Sequence, residues 1–210
     1  MSQDTVVAMD IYMEFLEVAF HNILFHRKLY PEAVFKKSKV YGTEVHMITH
    51  PDVKTYLKKV LIGIYEALTT GEDNVKFVSL VISDVHEKPI EKYVFSFQSA
   101  AGNSFNDDPY FLQTEEALRA FCLKLSTCHT YLKPIPTDAT FKVVVTVRQA
   151  THIALNENRK CQEFPWIRKS EDKAVVPRGK LLPLLEVDTR SLSLISYVIQ
   201  NKEVDATDKA

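Results

Sequence analysis

The last quarter of the chain most constrains the fold, because its apolar residues recur without the period of a helix. Short apolar runs at 163–167, 180–184 and 196–199 are separated by charged stretches, and prolines interrupt the first two. Proline removes a backbone donor and restricts the residue before it. We therefore expect extended segments that lie on a core built by the first 150 residues. The one tryptophan, Trp166, lies in the first run, which is typical of a binding surface more than of a catalytic one.

Composition narrows the class of protein. The 210 residues suffice for one large or two small domains, and 46% hydrophobic with 25% charged residues is typical of a globular chain. The formal net charge of -1 argues against a general binder of nucleic acid or membranes. The apolar stretch 11–29 carries interspersed charges and predicts a buried helix, not a membrane span. Cys122, Cys128 and Cys161 show no paired spacing, which predicts free thiols in a reducing compartment.

Hydrophobic periodicity predicts three helices, over residues 5–30, 49–70 and 109–130. Tyr30-Pro31 is predicted to end the first, and Thr49-His50-Pro51-Asp52 resembles a capping box for the second. The basic run 36–39 is predicted to be a solvated loop in preference to a nuclear-targeting signal. Polar loops are predicted at 101–108 and 168–178, and an extended segment at 163–167. Strands are predicted at 75–83, 90–98 (Tyr93, Phe95 and Phe97 on one face), 141–148 (Phe141, Val143, Val145 and Val147 on one face), 180–186 and 192–200.

The order helix, helix, strand, strand, helix, strand predicts an α+β fold in which three helices back a mainly antiparallel sheet. Little in the chain predicts catalysis. The five glycines stand too far apart for a phosphate-binding loop, and no Gly-x-Ser-x-Gly motif occurs. Adjacent Cys128 and His129 would point about 100° apart on a helix. The predicted helix start separates His46 from His50, so zinc binding there is not expected.

We therefore expect no enzyme, no metal and no cofactor. A hydrolase with Cys128 or Cys161 as its nucleophile stays open as an alternative, and it would need an activated thiolate. Direct DNA binding through the basic and aromatic residues at 26–30 and 35–37 is a second alternative, which predicts a steep loss of affinity with salt.

Several segments together resemble the HORMA-domain family, over about residues 9–200. The resemblance implies one HORMA domain over 1–210, with a core at about 5–149, a C-terminal "safety belt" at about 150–200 and a short tail at 201–210. The segments that carry it are 14–19, 23–24, Leu29-Tyr30-Pro31 with Phe35, 78–82, 91–95, 118–121, Phe164-Pro165-Trp166-Ile167 and Leu182-Pro183-Leu184.

The resemblance also implies a mechanism, in which the belt wraps around an extended peptide that joins the sheet edge as an added strand. Ile195 stands where the family has a glutamine, which leaves one polar contact open. Arg119 matches an arginine that pairs HORMA domains with each other, and a plain helix-surface arginine is the alternative. The peptide-binding residues of the family correspond to Tyr56, Trp166, Leu181 and Tyr197. For Tyr56, a role as a plain core residue is an equal alternative.

Within the family, the resemblance is strongest to the members that serve translesion DNA synthesis. It implies a nuclear, non-catalytic adaptor that clamps a proline-containing peptide of the catalytic subunit of DNA polymerase zeta. The C-terminal domain of a scaffold translesion polymerase would bind around 184–198. Subunits of an end-protection complex, a remodelling AAA-type ATPase and a second copy of the chain are further implied partners, without direct nucleic-acid or membrane binding. A spindle-checkpoint or meiotic-axis HORMA adaptor is the alternative within the fold.

Overall fold

The computed structural model describes residues 3–70, 74–99, 112–148, 151, 153, 155, 157–158, 161, 166–167, 174–188 and 192–202. The predicted loop 101–108, residues 168–173 of the predicted loop 168–178 and residues 163–165 of the extended segment 163–167 lie outside the described residues. The elements in chain order are α1 (Gln3–His26), β1 (Phe35–Val40), β2 (Thr43–Ile48), α2 (Pro51–Thr69), β3 (Val75–Ser83), β4 (Pro89–Ser99), α3 (Leu112–Ser126), β5 (Thr140–Val147), β6 (Gly179–Asp188) and β7 (Leu192–Asn201).

Five strands form one antiparallel sheet in the order β5-β3-β4-β7-β6. The helix α1 packs on one face of it, where Tyr12 stacks on Phe97 at 4.6 Å between ring centroids and Phe15 meets Phe95 edge-on at 5.8 Å. The predicted α+β architecture is confirmed, and the five predicted strands agree with β3 to β7 within one or two residues. The aromatic face of β4 points into the core as predicted, because Tyr93, Phe95 and Phe97 are buried.

The helix α1 is buried on most of its sides, as its sequence predicts. None of the described helices is long and apolar enough to cross a membrane. The predicted end at Tyr30-Pro31 is wrong, because α1 ends at His26. There the N–H of Leu29 donates to the Leu24 carbonyl at 3.1 Å, and Lys28 takes a left-handed backbone with φ of 55°. This is a Schellman ending in which lysine replaces the usual glycine, so no residue in the sequence signals it.

The start of α2 is close to the prediction, but the predicted capping box does not form. The residue before the helix is His50, and its side chain makes no capping hydrogen bond. The Thr49 hydroxyl instead donates to the carbonyl of Val34 at 2.9 Å. Pro51 begins the helix, where its missing N–H costs nothing.

A two-stranded hairpin, β1–β2, occupies the region that the sequence predicted to be a solvated basic loop. The lysines of the run 36–39 lie on β1 and are exposed, so the loop prediction is wrong about the backbone and right about the solvation. Tyr41 and Gly42 connect the strands with φ of 50° and 68°. Two successive positive φ values define the type I′ turn that matches strand twist. Gly42 between two alternating segments was the signal that could have revealed this hairpin.

A buried polar network joins the C-terminal hairpin β6–β7 to the rest of the fold. Arg27 and Glu91 form a two-pronged ion pair, with both N···O distances at 2.9 Å. Gln200 on β7 donates to the same carboxylate at 2.8 Å and accepts from the Lys133 N–H at 2.9 Å. The network around the Glu91 carboxylate therefore joins the end of α1, the loop after α3, and strands β4 and β7.

Candidate functional site

The outer edge of β5 is the first part of the candidate site. Within the described residues, β5 pairs with β3 on one side and with no strand on the other. The N–H of Val143 points to this outer side, where it donates to the Tyr56 hydroxyl at 3.3 Å. Since N–H groups alternate between the two sides of an antiparallel strand, those of Phe141 and Val145 point outward as well. The edge can therefore hydrogen-bond an added extended segment.

Tyr56 marks where α2 meets this edge. Its ring contacts Phe141 edge-on, with centroids 5.7 Å apart, and it is partly buried. Burial raises the pKa of Tyr56, and the hydrogen bond from the Val143 amide moderates that rise. The hydroxyl therefore stays protonated at neutral pH and satisfies an outward amide of the sheet. Both expectations for this residue, a core tyrosine and a site residue, are compatible with a position at the border of the core.

Trp166 lies against Gly63 of α2. A Cβ atom at Gly63 would come within 2.7 Å of Cζ2 and 2.8 Å of Nε1 of the indole, which is closer than real Cβ contacts allow. Gly63 is thus needed for the close approach of a ring and not for its backbone conformation. One turn further along α2, Asn158 donates to the Glu66 carboxylate at 2.9 Å. Asn158 and Trp166 therefore both contact α2, on the side of the helix that Tyr56 borders.

A later part of the belt lies on the other face of the sheet. Phe95 contacts Phe15 of α1, so the preceding residue, Val94, and its neighbours in register point away from that helix. Ile199 shares this second face, and a side chain at Gly179 would collide with it and approach the Cβ of Val176 at 3.7 Å. Val176 and Val94 are buried, although neither belongs to the main core. The belt thus packs against α2 at one point and against the opposite sheet face at another.

The structure does not bring the four predicted peptide-binding residues together. Tyr56 lies on α2 at the β5 edge, and Trp166 packs on Gly63, which lies seven residues further along the same helix. Tyr197 lies on β7, three strands from β5 and so about 14 Å away along the sheet. Leu181 lies on β6, which is further still. The predicted set therefore divides into a pair at α2, one of which reaches the β5 edge, and a pair on the C-terminal hairpin.

The second pair forms a surface of its own, here called the hairpin patch. Tyr197 pairs in register with Pro183, and Leu181 with Ile199, so these side chains share one face. Leu181 is 55% exposed and Ile195 is 42% exposed. A glutamine at Ile195 would have been a polar member of this patch, and the isoleucine makes it more apolar.

Arg119 makes contacts within the chain. Its Nε–H donates to the carbonyl of Tyr41 at 2.8 Å, and its guanidinium fills the space where a side chain at Gly42 would stand. Glu115, one turn earlier on α3, lies 3.6 Å from Nη2. Arg119 therefore braces the turn of the β1–β2 hairpin, a role that the sequence did not indicate. Its side chain remains 45% exposed, so a contact with a second chain stays a prediction.

The residues weighed for catalysis and metal binding have structural surroundings. All three cysteines are free and buried, as predicted for the free thiols. Burial raises the pKa of the Cys128 thiol. It also raises the pKa of the Cys122 thiol, to about 12. A raised pKa disfavours the thiolate that a nucleophile needs. His46 stacks on Phe25 at 3.5 Å between ring centroids. Among the described residues, no group of three or more His, Cys, Asp or Glu side chains is placed to hold a metal ion.

The HORMA domain family model matches residues 9–151. Together with the three helices on an antiparallel sheet, the match shows that this chain belongs to the HORMA-domain family. The chain is 34% identical over 192 residues to the rat and human "Mitotic spindle assembly checkpoint protein MAD2B", covering 91% of this chain and 90% of each relative.

Relatives named as polymerase subunits also match along most of their length. The "DNA polymerase zeta processivity subunit" of Schizosaccharomyces pombe is 31% identical over 204 residues, covering 93% of this chain and 86% of the relative. The Drosophila melanogaster "DNA polymerase zeta subunit 2" is 26% identical, covering 90% and 96%. These are names of accessory proteins, and the prediction of a non-catalytic chain agrees with them. The chain is thus a HORMA protein related to checkpoint and polymerase-subunit members of the family.

Solved structures support the fold. A chain of the "Mitotic Checkpoint Complex" superimposes with a TM-score of 0.74 at 20% identity, covering 92% of this chain and 98% of that one. Caenorhabditis elegans HTP-2, solved bound to a HIM-3 closure motif, gives a TM-score of 0.67 at 12% identity, with 90% and 88% covered. At these identities the likeness establishes the architecture of the domain.

Proposed function

We propose that this chain is a non-catalytic adaptor that clamps an extended, proline-containing peptide at the outer edge of β5, beneath its C-terminal belt. The observation that carries the proposal is the placement of the belt. Trp166 packs on Gly63 of α2, the helix that reaches the β5 edge through Tyr56, whereas Val176 is buried near Gly179 on the opposite face of the sheet. Trp166 and Val176 thus lie on different sides of the sheet, as a strap around the β5 edge requires.

The chemistry of the edge fits such a ligand. Outward amides on β5 supply main-chain hydrogen bonds, which give affinity without regard to sequence. The rings of Tyr56 and Trp166 supply an apolar, aromatic surface, and such surfaces bind the rigid rings of prolines at low cost in entropy. The polymerase-subunit relatives support the catalytic subunit of DNA polymerase zeta as the source of the peptide.

The hairpin patch supports a second partner. Leu181, Ile195 and Tyr197 present apolar surface on β6 and β7, at the end of the sheet opposite β5. A C-terminal domain of a scaffold translesion polymerase at this patch would leave the β5 edge accessible, so one chain could bridge two subunits. A bridging role in translesion synthesis and the DNA damage response places the protein in the nucleus. End-protection subunits, a remodelling AAA-type ATPase and pairing of two copies belong to the same proposal as further partners.

Fluorescence polarisation tests the clamp. The probe is a labelled peptide with two prolines a few residues apart, from the DNA polymerase zeta catalytic subunit of the same organism. We expect tight binding by the native chain and loss of binding with Trp166→Ala, whereas Leu181→Ala, on the hairpin patch, should bind normally. Binding that survives Trp166→Ala would move the pocket elsewhere. If a folded native chain does not bind this peptide but binds a peptide of checkpoint or meiotic-axis origin, the alternative adaptor is favoured.

A further inference from the structure

Lys59 lies on α2 between the two residues that mark the peptide site. It follows Tyr56 by three positions and precedes Gly63 by four. Residues three and four apart on a helix are surface neighbours, with Cβ atoms about 5–6 Å apart. Gly63 is the residue against which Trp166 packs, and Tyr56 reaches the amide of Val143 on β5. Lys59 therefore stands within one helical turn of both aromatic side chains of the site.

The surroundings of Lys59 differ from those of the other lysines on this helix. It is partly buried, whereas Lys54 and Lys58 are exposed. Within the described part of the chain, no carboxylate lies within 4.0 Å of its ammonium group. On the same stripe of α2, Asp52 is exposed and Glu66 accepts a hydrogen bond from Asn158. A lysine that loses part of its hydration favours a carboxylate partner.

We infer that Lys59 is a specificity-determining residue, and that the segment held at the β5 edge carries an aspartate or glutamate opposite it. This inference rests on the proposed clamp. Main-chain pairing does not discriminate between sequences, so side-chain contacts must do so. Tyr56 and Trp166 accept apolar residues, and Lys59 adds one charge at a fixed distance from them. The pairing of that charge with a carboxylate fixes the register of the peptide and rejects basic segments.

The test is a charge scan of the ligand. The probe is the labelled proline-containing peptide described above, made with Asp or with Lys at each non-proline position in turn. Each version is titrated against the native chain, against Lys59→Glu, and against Lys58→Glu as a control of equal charge on an exposed position. We expect one position, or two adjacent ones, where the native chain prefers Asp to Lys by about tenfold or more. Lys59→Glu should reverse this preference, and Lys58→Glu should leave it unchanged.

Two results would overturn the inference while the clamp stands. One is an Asp-to-Lys preference that is the same in the native chain and in Lys59→Glu at every position. The other is an equal loss of affinity for all peptide versions in Lys59→Glu, which would assign Lys59 to the folding of the belt. A native chain that binds no version of the peptide would instead refute the proposed clamp itself. Measuring the free energy of unfolding of each variant confirms that the comparison is between folded chains.

Discussion

The side-chain amide of Gln200 donates to the Glu91 carboxylate at 2.8 Å, and Arg27 pairs with the same carboxylate through two contacts of 2.9 Å. Glu91 is fully buried and lies on β4, whereas Gln200 lies near the end of the chain on β7. A buried charge keeps its place only when its lone pairs are satisfied. This contact therefore links the position of the C-terminal hairpin, and with it the end of the belt, to the core.

Replacing Gln200 by alanine is expected to lower the free energy of unfolding by about 2–3 kcal/mol, because the Glu91 carboxylate and the Lys133 amide both lose a partner. Urea denaturation measures this loss, with exposed Lys180→Ala on the neighbouring strand as the control. Hydrogen exchange should rise most in β6 and β7. A uniform rise over all strands would mean that the network stabilises the whole fold and does not hold the hairpin in particular.

Gly63→Ala is expected to displace Trp166, since the added methyl would stand 2.7 Å from the indole ring. The emission of the one tryptophan should shift to longer wavelength, and affinity for the clamped peptide should fall at least tenfold. Stability should change by less than about 1 kcal/mol, because alanine favours a helix by about that amount over glycine. Thr55→Ala, at an exposed position of the same helix, is the control. Unchanged emission in Gly63→Ala would contradict the observed contact.

Acid should destabilise the protein through His21. This side chain is 3% exposed, and its Nδ1 accepts a hydrogen bond from the Ile48 N–H at 3.1 Å. Burial, with a smaller effect of Lys54, lowers the pKa of His21 from 6.5 to about 4. Between these two values the unfolded chain binds more protons than the folded one, so stability falls as the pH falls. The loss approaches about 3 kcal/mol near pH 4.

The matching measurement is urea denaturation from pH 7 to pH 4. His21→Gln cannot take up the proton and should show a shallower loss between pH 6.5 and pH 4 than the native chain. His86→Gln, at an exposed position after β3, should follow the native curve. Parallel curves for native and His21→Gln would exclude His21 as the source of the acid sensitivity.

Arg119→Ala should loosen the β1–β2 hairpin, because the Tyr41 carbonyl loses its donor and Gly42 loses the guanidinium packed on it. The expected cost is about 1 kcal/mol, with faster hydrogen exchange at residues 35–48. Glu116→Ala, exposed on the same helix, is the control. Sedimentation velocity of both variants tests the second role of Arg119. If the native chain forms dimers and Arg119→Ala does not, the residue also pairs two chains.

The regular elements could be predicted from the sequence because their patterns are local. A nearly continuous apolar stretch predicted β3, alternating aromatic and branched residues predicted β4 and β5, and the apolar runs at 180–184 and 196–199 predicted β6 and β7. The hairpin β1–β2 was not predicted, because lysines occupy many of its strand positions and its turn begins with a tyrosine in place of asparagine. The end of α1 was also predicted wrongly, because Lys28 adopts a left-handed conformation that a lysine does not favour.

The residues of the candidate site were also predicted only in part from the sequence. Trp166 and Tyr56 were identified from the resemblance to a family, and the structure brings both to α2, where Tyr56 reaches the β5 edge. Leu181 and Tyr197 were assigned to the same pocket, but strand order moves them to the hairpin patch. Lys59 and Gly63 carried no signal, because their importance depends on a ring that comes from a hundred residues further along the chain.

By itself, the sequence determined the three helices and the five strands β3 to β7, the α+β class of the fold, and the lack of the usual motifs of an enzyme. Those properties depend on residues close together in the chain, through hydrophobic period, turn residues and spacing. The tertiary structure decided the order β5-β3-β4-β7-β6, the meeting of Arg27, Glu91 and Gln200, and the sides of the sheet on which the belt lies. These are pairings between distant residues, which arise only when burial brings their partners together.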